Sequence, residues 1–142
     1  MKIAIGSDHA GYELKEHIKA QFADGIEWQD AGTFSNESVD YPDFAHPVAE
    51  SVSEKKAEKG ILICGTGNGV AMTANKHNDV RAALCWNEEI AKLARQHNDA
   101  NILVMPARFI SQELADKIIK CFFTTEFEGG RHALRIAKIN IR

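Results

Sequence analysis

Gly60-Ile61-Leu62-Ile63-Cys64-Gly65-Thr66-Gly67-Asn68-Gly69-Val70-Ala71 is the stretch on which the reading of this chain turns. A short apolar run ends on a cysteine, and Gly65, Gly67 and Gly69 follow in alternation. An apolar run of that length reads as a buried strand. The glycines let the backbone turn tightly and bring its N–H groups close to a ligand. Asn68 to about Lys76 then reads as a helix. Cys64 therefore stands at the carboxyl end of a strand and faces a helix N-terminus. Such a setting binds anions and favours a thiolate over a thiol.

Outward from this centre the chain alternates strand and helix almost from end to end. Upstream lie a strand at Lys2 to Gly6, a helix carrying Leu14, Ile18 and Phe22, a weaker strand at Ile26 to Ala31, and a helix with Phe44, Val48 and Val52 on one stripe. Between the last two, Gly32 to Asp43 reads as a polar loop. Downstream come a strand at Val80 to Cys85, a helix capped by Asn87, a strand at Asn101 to Met105, and a helix capped by Ser111. Glu88 and Glu89 suit a first helical turn, where the dipole favours acids. After Glu128-Gly129-Gly130 a last helix carries Arg131, Arg135, Lys138 and Arg142 along one side.

This rhythm predicts an α/β fold with helices on both faces of a parallel sheet. It is a three-layer α/β/α sandwich of Rossmann-like type, with five strands, a C-terminal helix and one domain over residues 1–142. Right-handed crossovers place all strand ends of one kind on one edge, and ligands bind beyond the carboxyl ends. Three loops are thereby selected: Ser7 to Gly11, Gly65 to Gly69, and Pro106 to Phe109.

Composition excludes several classes of function. The chain has 142 residues, enough for one domain with a real core. It is 44% hydrophobic and 26% charged, within the range of soluble globular proteins and outside that of disordered ones. A formal charge of -3 gives no reason to expect nucleic acid as a partner. No apolar run approaches the roughly 20 residues that span a bilayer. The start, Met1-Lys2-Ile3-Ala4-Ile5-Gly6, reads as a strand without signal-peptide architecture, so the expected compartment is cytoplasmic. Cys64, Cys85 and Cys121 are odd in number and form no C-x-x-C pair, which disfavours a disulfide framework or structural zinc.

Each motif carries a chemical reading and a plain structural one. The glycine loop lacks the third glycine of a dinucleotide fingerprint, where Val70 stands, and lacks the Gly-Lys-Ser/Thr of a P-loop. Val70 also occupies the place of the arginine that a cysteine phosphatase loop wants. What remains is a nest of N–H groups beside a thiol, or simply a tight turn beside an inert core cysteine. In Ser7-Asp8-His9-Ala10-Gly11, Asp8 and His9 can reach a ligand at the strand edge, or Asp8 can cap a helix beneath a surface histidine. In Arg95-Gln96-His97-Asn98-Asp99, His97 suits either a helix C-terminal cation or a general acid–base. Arg131 and Arg135 lie one helical turn apart and can clamp a phosphate, with Arg108 a third candidate; equally, they are a solvated face. His17, His46, His77 and His132 have no evident partner and read as surface or structural. Cys85 and Cys121 read as core.

The ordered set of these segments resembles the ribose-5-phosphate isomerase B family, which also holds allose-6-phosphate isomerase and the galactose-6-phosphate isomerase subunits. The matching pieces are Gly6 to Gly11, Asp40-Tyr41-Pro42, Ile61 to Gly69, Ala74-Asn75-Lys76, Arg81-Ala82, Arg95 to Asp99, and Glu128-Gly129-Gly130-Arg131-His132. Any one is weak; together, in order and without a large insertion, they are highly specific.

The resemblance implies an aldose–ketose isomerase of the pentose phosphate pathway that needs no metal and no cofactor. By that resemblance Cys64 is the base that carries the proton between C1 and C2, and His97 opens the furanose ring. Thr66 supports the proton transfer, with Asp8 in the same catalytic set. The amides of Gly65, Thr66, Gly67, Asn68 and Gly69 hold the enediolate. Asp8, His9, Asn98, Arg108, Arg131 and Arg135 match ligand-binding positions, with His9 and the arginines nearest the phosphate. Tyr41 walls the sugar pocket. Relatives form homodimers, often paired into tetramers, with sites at a subunit interface. Two alternatives stay open from the residues: a six-carbon sugar phosphate isomerase of the same family, and a non-catalytic phosphate-binding module.

Overall fold

The structure is a computed structural model that describes residues 1–141. Five strands, β1 (Lys2–Ser7), β2 (Glu27–Asp30), β3 (Lys59–Cys64), β4 (Ala82–Leu84) and β5 (Ile102–Pro106), form one sheet in the order β2-β1-β3-β5-β4. Every pairing is parallel. The helices are α1 (Tyr12–Gln21), α2 (Pro42–Ser53), α3 (Asn68–Ala74), α4 (Glu88–Asn98), α5 (Gln112–Thr124) and α6 (Arg131–Ile136). A single 3-10 turn, His9–Gly11, joins β1 to α1. No helix among the described residues is long and apolar enough to cross a membrane.

Strand alternation sorts the core into two layers. Ile3, Ile5, Ile61, Ile63, Leu103 and Met105 point to the side covered by α1, α4 and α5. Ala4, Leu62, Cys64, Ile102 and Val104 point to the other side, under α2 and α3. Two-sided burial explains why β3 and β5 read as unbroken apolar runs rather than alternating ones. Chain direction reverses about β1: the chain moves outward to β2, then crosses back over β1 to β3. Such a reversal opens a crevice at the carboxyl edge, between β1 and β3.

The predicted elements are all present, with several ends moved. β4 is confined to Ala82–Leu84, because an edge strand has one neighbour to hold its ends. α2 begins at Pro42, whose fixed φ and missing N–H suit a first helical position. α3 stops at Ala74 and α6 at Ile136, so Lys138 lies beyond the last helix. Arg142, placed on that helix by the sequence, lies outside the described residues. Cys121 is half-buried rather than core, its thiol directed at the Glu88 carbonyl at 3.3 Å.

Candidate active site

The carboxyl edge is held together by backbone bonds between successive loops. The Asp8 N–H donates to the Ile63 carbonyl at 3.3 Å, and the Ala107 and Arg108 N–H groups donate to the Cys64 and Gly65 carbonyls at 2.9 and 3.1 Å. The three loops selected from the sequence are thus continuous around the end of β3.

Cys64 is at the centre of that edge, 5% exposed. The Gly67 N–H donates to its Sγ at 3.2 Å, which is the contact a thiolate needs. Gly67 adopts φ +80, and a side chain there would put its Cβ 2.4 Å from Leu84 Cδ1, so only glycine fits the turn. A Cβ on Gly69 would lie 2.5 Å from the Tyr41 ring, so that ring packs directly over the first turn of α3. A Cβ on Gly65 would stand 3.1 Å from Arg108 Nη1, so the guanidinium lies against the loop. Thr66 and Asn68 are exposed, and the Thr66 hydroxyl accepts from the Asn68 N–H at 3.2 Å.

Asp8 is 8% exposed and caps the 3-10 turn, accepting from the Gly11 N–H at 3.1 Å. His9 Nδ1 accepts from the Val39 N–H at 3.2 Å. The proton of a neutral His9 then sits on Nε2, leaving a donor for a ligand. Cys64, Gly65, Thr66, Gly67, Asn68, Gly69, Asp8, His9, Tyr41 and Arg108 therefore share one edge of the sheet.

His97, Asn98, Arg131 and Arg135 do not join them within the chain. α4 leaves the carboxyl edge after β4 and returns over its 11 residues to the amino edge, where β5 starts. That helix is roughly 16 Å long. His97 and Asn98 occupy its last turn. The Glu128 N–H donates to the Gln96 carbonyl at 3.1 Å and draws the segment before α6 onto that turn. The His97 and His132 rings stack there, with centroids 4.4 Å apart and planes 11° from parallel. A cavity of about 310 Å³ is lined by His97, Asn98, His132, Arg135, Ile136 and Ile139. Arg131 and Arg135 are exposed.

The chain that carries these two edges matches a known family. A family model described as ribose/galactose isomerase matches residues 3–139. The chain belongs to that family. The Escherichia coli protein named ribose-5-phosphate isomerase B is 44% identical over 139 residues, spanning 97% of this chain and 93% of its own. The crystal structure of a Thermotoga maritima ribose 5-phosphate isomerase superimposes with a TM-score of 0.95 at 54% identity, covering 97% of this chain and 96% of that one. A Mycoplasma genitalium ribose-5-phosphate isomerase B, solved with ribulose 5-phosphate bound, gives a TM-score of 0.93 at 45% identity over 97% of this chain and 93% of its own. The three-layer α/β fold expected from the sequence is the fold of these structures.

Sequence reading misses the partners of four histidines. His17 lies 3.0 Å from an Asp116 oxygen, and His46 Nδ1 lies 2.7 Å from His77 Nε2. His132, which reads as structural, is buried against His97 and approaches Glu128, a residue to which the sequence assigns no role. The signal that could have found the pair is the four-residue spacing of Glu128 and His132 within the Glu128 to His132 motif.

Proposed function

We propose that this chain is an aldose–ketose isomerase that interconverts ribose 5-phosphate and ribulose 5-phosphate through a cis-enediolate. The observation that carries the reading is the Cys64 sulfur in its amide turn at the carboxyl end of β3, in a chain of this family. The Escherichia coli and Mycoplasma genitalium relatives support the substrate.

The chemistry follows from the groups present. His97 takes the proton of the anomeric hydroxyl and returns one to the ring oxygen, so the C1–ring-oxygen bond breaks and C1 becomes a carbonyl. The Cys64 thiolate then removes the C2 proton, and the electron pair moves through the new C1–C2 double bond onto O1. After a proton passes from the oxygen on C2 to that on C1, the thiol returns its proton to C1 and leaves the ketose. The loop amides hold the charge on oxygen, worth about 3–4 kcal/mol for a well-placed donor. His9 Nε2 and the arginines hold the phosphate, and that remote grip lowers the barrier at the reacting carbons. The substrate redistributes its own hydrogen, so the steps require no cofactor.

His97, Asn98, Arg131 and Arg135 stand on the edge opposite Cys64, so one chain holds two complementary halves. We infer a homodimer in which the carboxyl edge of one copy meets the α4–α6 edge of its partner. A two-fold pairing of this kind builds two equivalent sites. Exposed Met72, Trp86 and Phe109 supply apolar surface for such contacts.

The test is ribose 5-phosphate turnover without added metal, beside allose 6-phosphate and galactose 6-phosphate. The pentose should be preferred; faster turnover of either hexose moves the assignment to a six-carbon substrate. Cys64→Ala should abolish turnover while sugar phosphate still binds. Substantial residual turnover removes Cys64 from the base role. His97→Asn should impair reaction from the closed furanose more than from an open-chain substrate, and equal impairment removes ring opening as its task.

A further inference from the structure

We propose that His97, Glu128 and His132 form a binding site for a divalent transition-metal ion of the zinc type, whose occupation inhibits the isomerase. The inhibition rests on the ring-opening role proposed for His97; the binding does not. One ligating atom from each of the three residues lies within 4.8 Å of the others. His97 Nε2 and His132 Nε2 approach the same Glu128 oxygen, at 3.7 and 3.8 Å. Those separations exceed hydrogen-bond reach, so neither imidazole is already saturated by the carboxylate. They are close to the separation a metal imposes. Bonds of about 2.0–2.1 Å to a tetrahedral zinc hold its ligands about 3.4 Å apart. Closing either gap to Glu128 takes less than roughly half an ångström, and the two stacked rings must also turn so that both lone pairs meet one ion.

The parts that must move and those that must stay are correctly distributed. The helices hold the two histidine backbones in place, and the His97 side chain, 42% exposed, has room to turn out of the stack. Glu128 is exposed and precedes Gly129 and Gly130, both at positive φ, so its carboxylate has the freedom to close. His132 sits below the ordinary histidine range, through burial first and then the charges of His97 and Arg131. Two histidines and a glutamate are a donor set used by zinc with one position left open. Nitrogen donors favour zinc, cobalt or nickel over magnesium or calcium. His97 and His132 open onto the cavity of about 310 Å³ that Asn98 and Arg135 also line. The Arg131 and Arg135 charges oppose a dication and limit its affinity. A bound ion takes the His97 lone pair and so removes the group that opens the ring.

The test uses the whole protein, stripped with chelator and titrated with cobalt(II). Visible d–d bands should appear at one ion per chain and should vanish when zinc is added. Glu128→Gln and His132→Asn should each weaken uptake about tenfold or more. Zinc should inhibit ribose 5-phosphate turnover, chelator should reverse it, and Glu128→Gln should desensitise the enzyme by the same factor. Absence of uptake overturns the site. So does a thiolate-to-cobalt charge-transfer band that survives both substitutions, which would assign the ion to a cysteine. Uptake through the three residues without inhibition overturns the inhibitory claim, while His97→Asn reports on ring opening separately.

Discussion

Two cysteines in one fold show how a few ångströms of surroundings divide chemistry from packing. Cys64 ends β3 with an amide donating to its sulfur. Cys85, just past β4, is fully buried, and burial, aided by Cys121, pushes its thiol up to about 12. At pH 8 only about one Cys85 in ten thousand is then a thiolate, and the thiolate is the nucleophile. Alkylation of the native protein at that pH, mapped by mass, should leave Cys85 unmodified until the chain unfolds. Labelling of Cys85 in the native state would contradict its burial. Gly67 is the second residue on which the site depends. Gly67→Ala meets both a positive φ and the Leu84 side chain, so it should cost about 1–3 kcal/mol in urea unfolding and lower kcat by displacing the amide at the sulfur. Both Cys64 and the glycine alternation are legible in the sequence, because strand, turn and nucleophile are adjacent in it. The His97–Glu128–His132 group is not, because α5 separates His97 from the other two in the chain and tertiary packing alone returns them.

Element by element, periodicity locates the apolar faces and misses one buried charge. Leu14, Ile18 and Phe22 mark α1 in the sequence, yet Lys15 beside them is 0% exposed. Its ammonium meets Asp30 at 2.7 Å and Glu16 at 2.8 Å, and lies 5.2 Å from the Phe34 ring centre. A helical-stripe argument puts lysine outside; the carboxylates of Asp30, at the end of β2, and of Glu16 make the inside tolerable. Asp30 also accepts from the Gly32 N–H at 2.9 Å, and the Gly32 carbonyl accepts from the Ser7 N–H at 2.7 Å. The ion pair thus braces the loop that fixes the end of β1 and hence Asp8. Burial alone would raise the Asp30 carboxyl, but bonds from Lys15, Lys19 and the Gly32 N–H bring it below its ordinary value. A depressed carboxyl contributes stability that is present above the unfolded value, near 4, and is lost as pH falls through the folded value. Asp30→Asn should therefore destabilise by about 3 kcal/mol at pH 7, by leaving the buried Lys15 ammonium with Glu16 as its one carboxylate partner among the described residues. The gap between wild type and variant should shrink toward pH 3 in urea unfolding. A gap independent of pH would show that Asp30 acts by shape alone.

At the scale of the whole molecule, what matters is which edge each residue reaches. In a parallel sheet, residues that follow a strand arrive at the carboxyl edge and residues that follow a helix arrive at the amino edge. Asp8, Cys64 and Arg108 follow strands; His97 and Asn98 end a helix. The sequence names the chemical groups, and the strand–helix alternation already places them apart; in the proposed dimer their reunion depends on a surface between two copies that no spacing in one chain encodes. The proposed dimer makes this separation a test. Cys64→Ala and His97→Asn are each expected to be nearly inactive alone. Co-expressed in equal amounts, they assort at random, and half of the dimers carry one chain of each kind. In such a dimer one site joins an intact Cys64 to an intact His97, and the other site lacks both. Activity should return to about a quarter of wild type, as two equivalent sites per two-fold pair require. Two copies of one variant cannot achieve this at any concentration. If the mixture stays as inactive as its components while light scattering reports mixed dimers, cysteine and histidine do not serve one site across the pair, and the geometry proposed for the reaction fails with them.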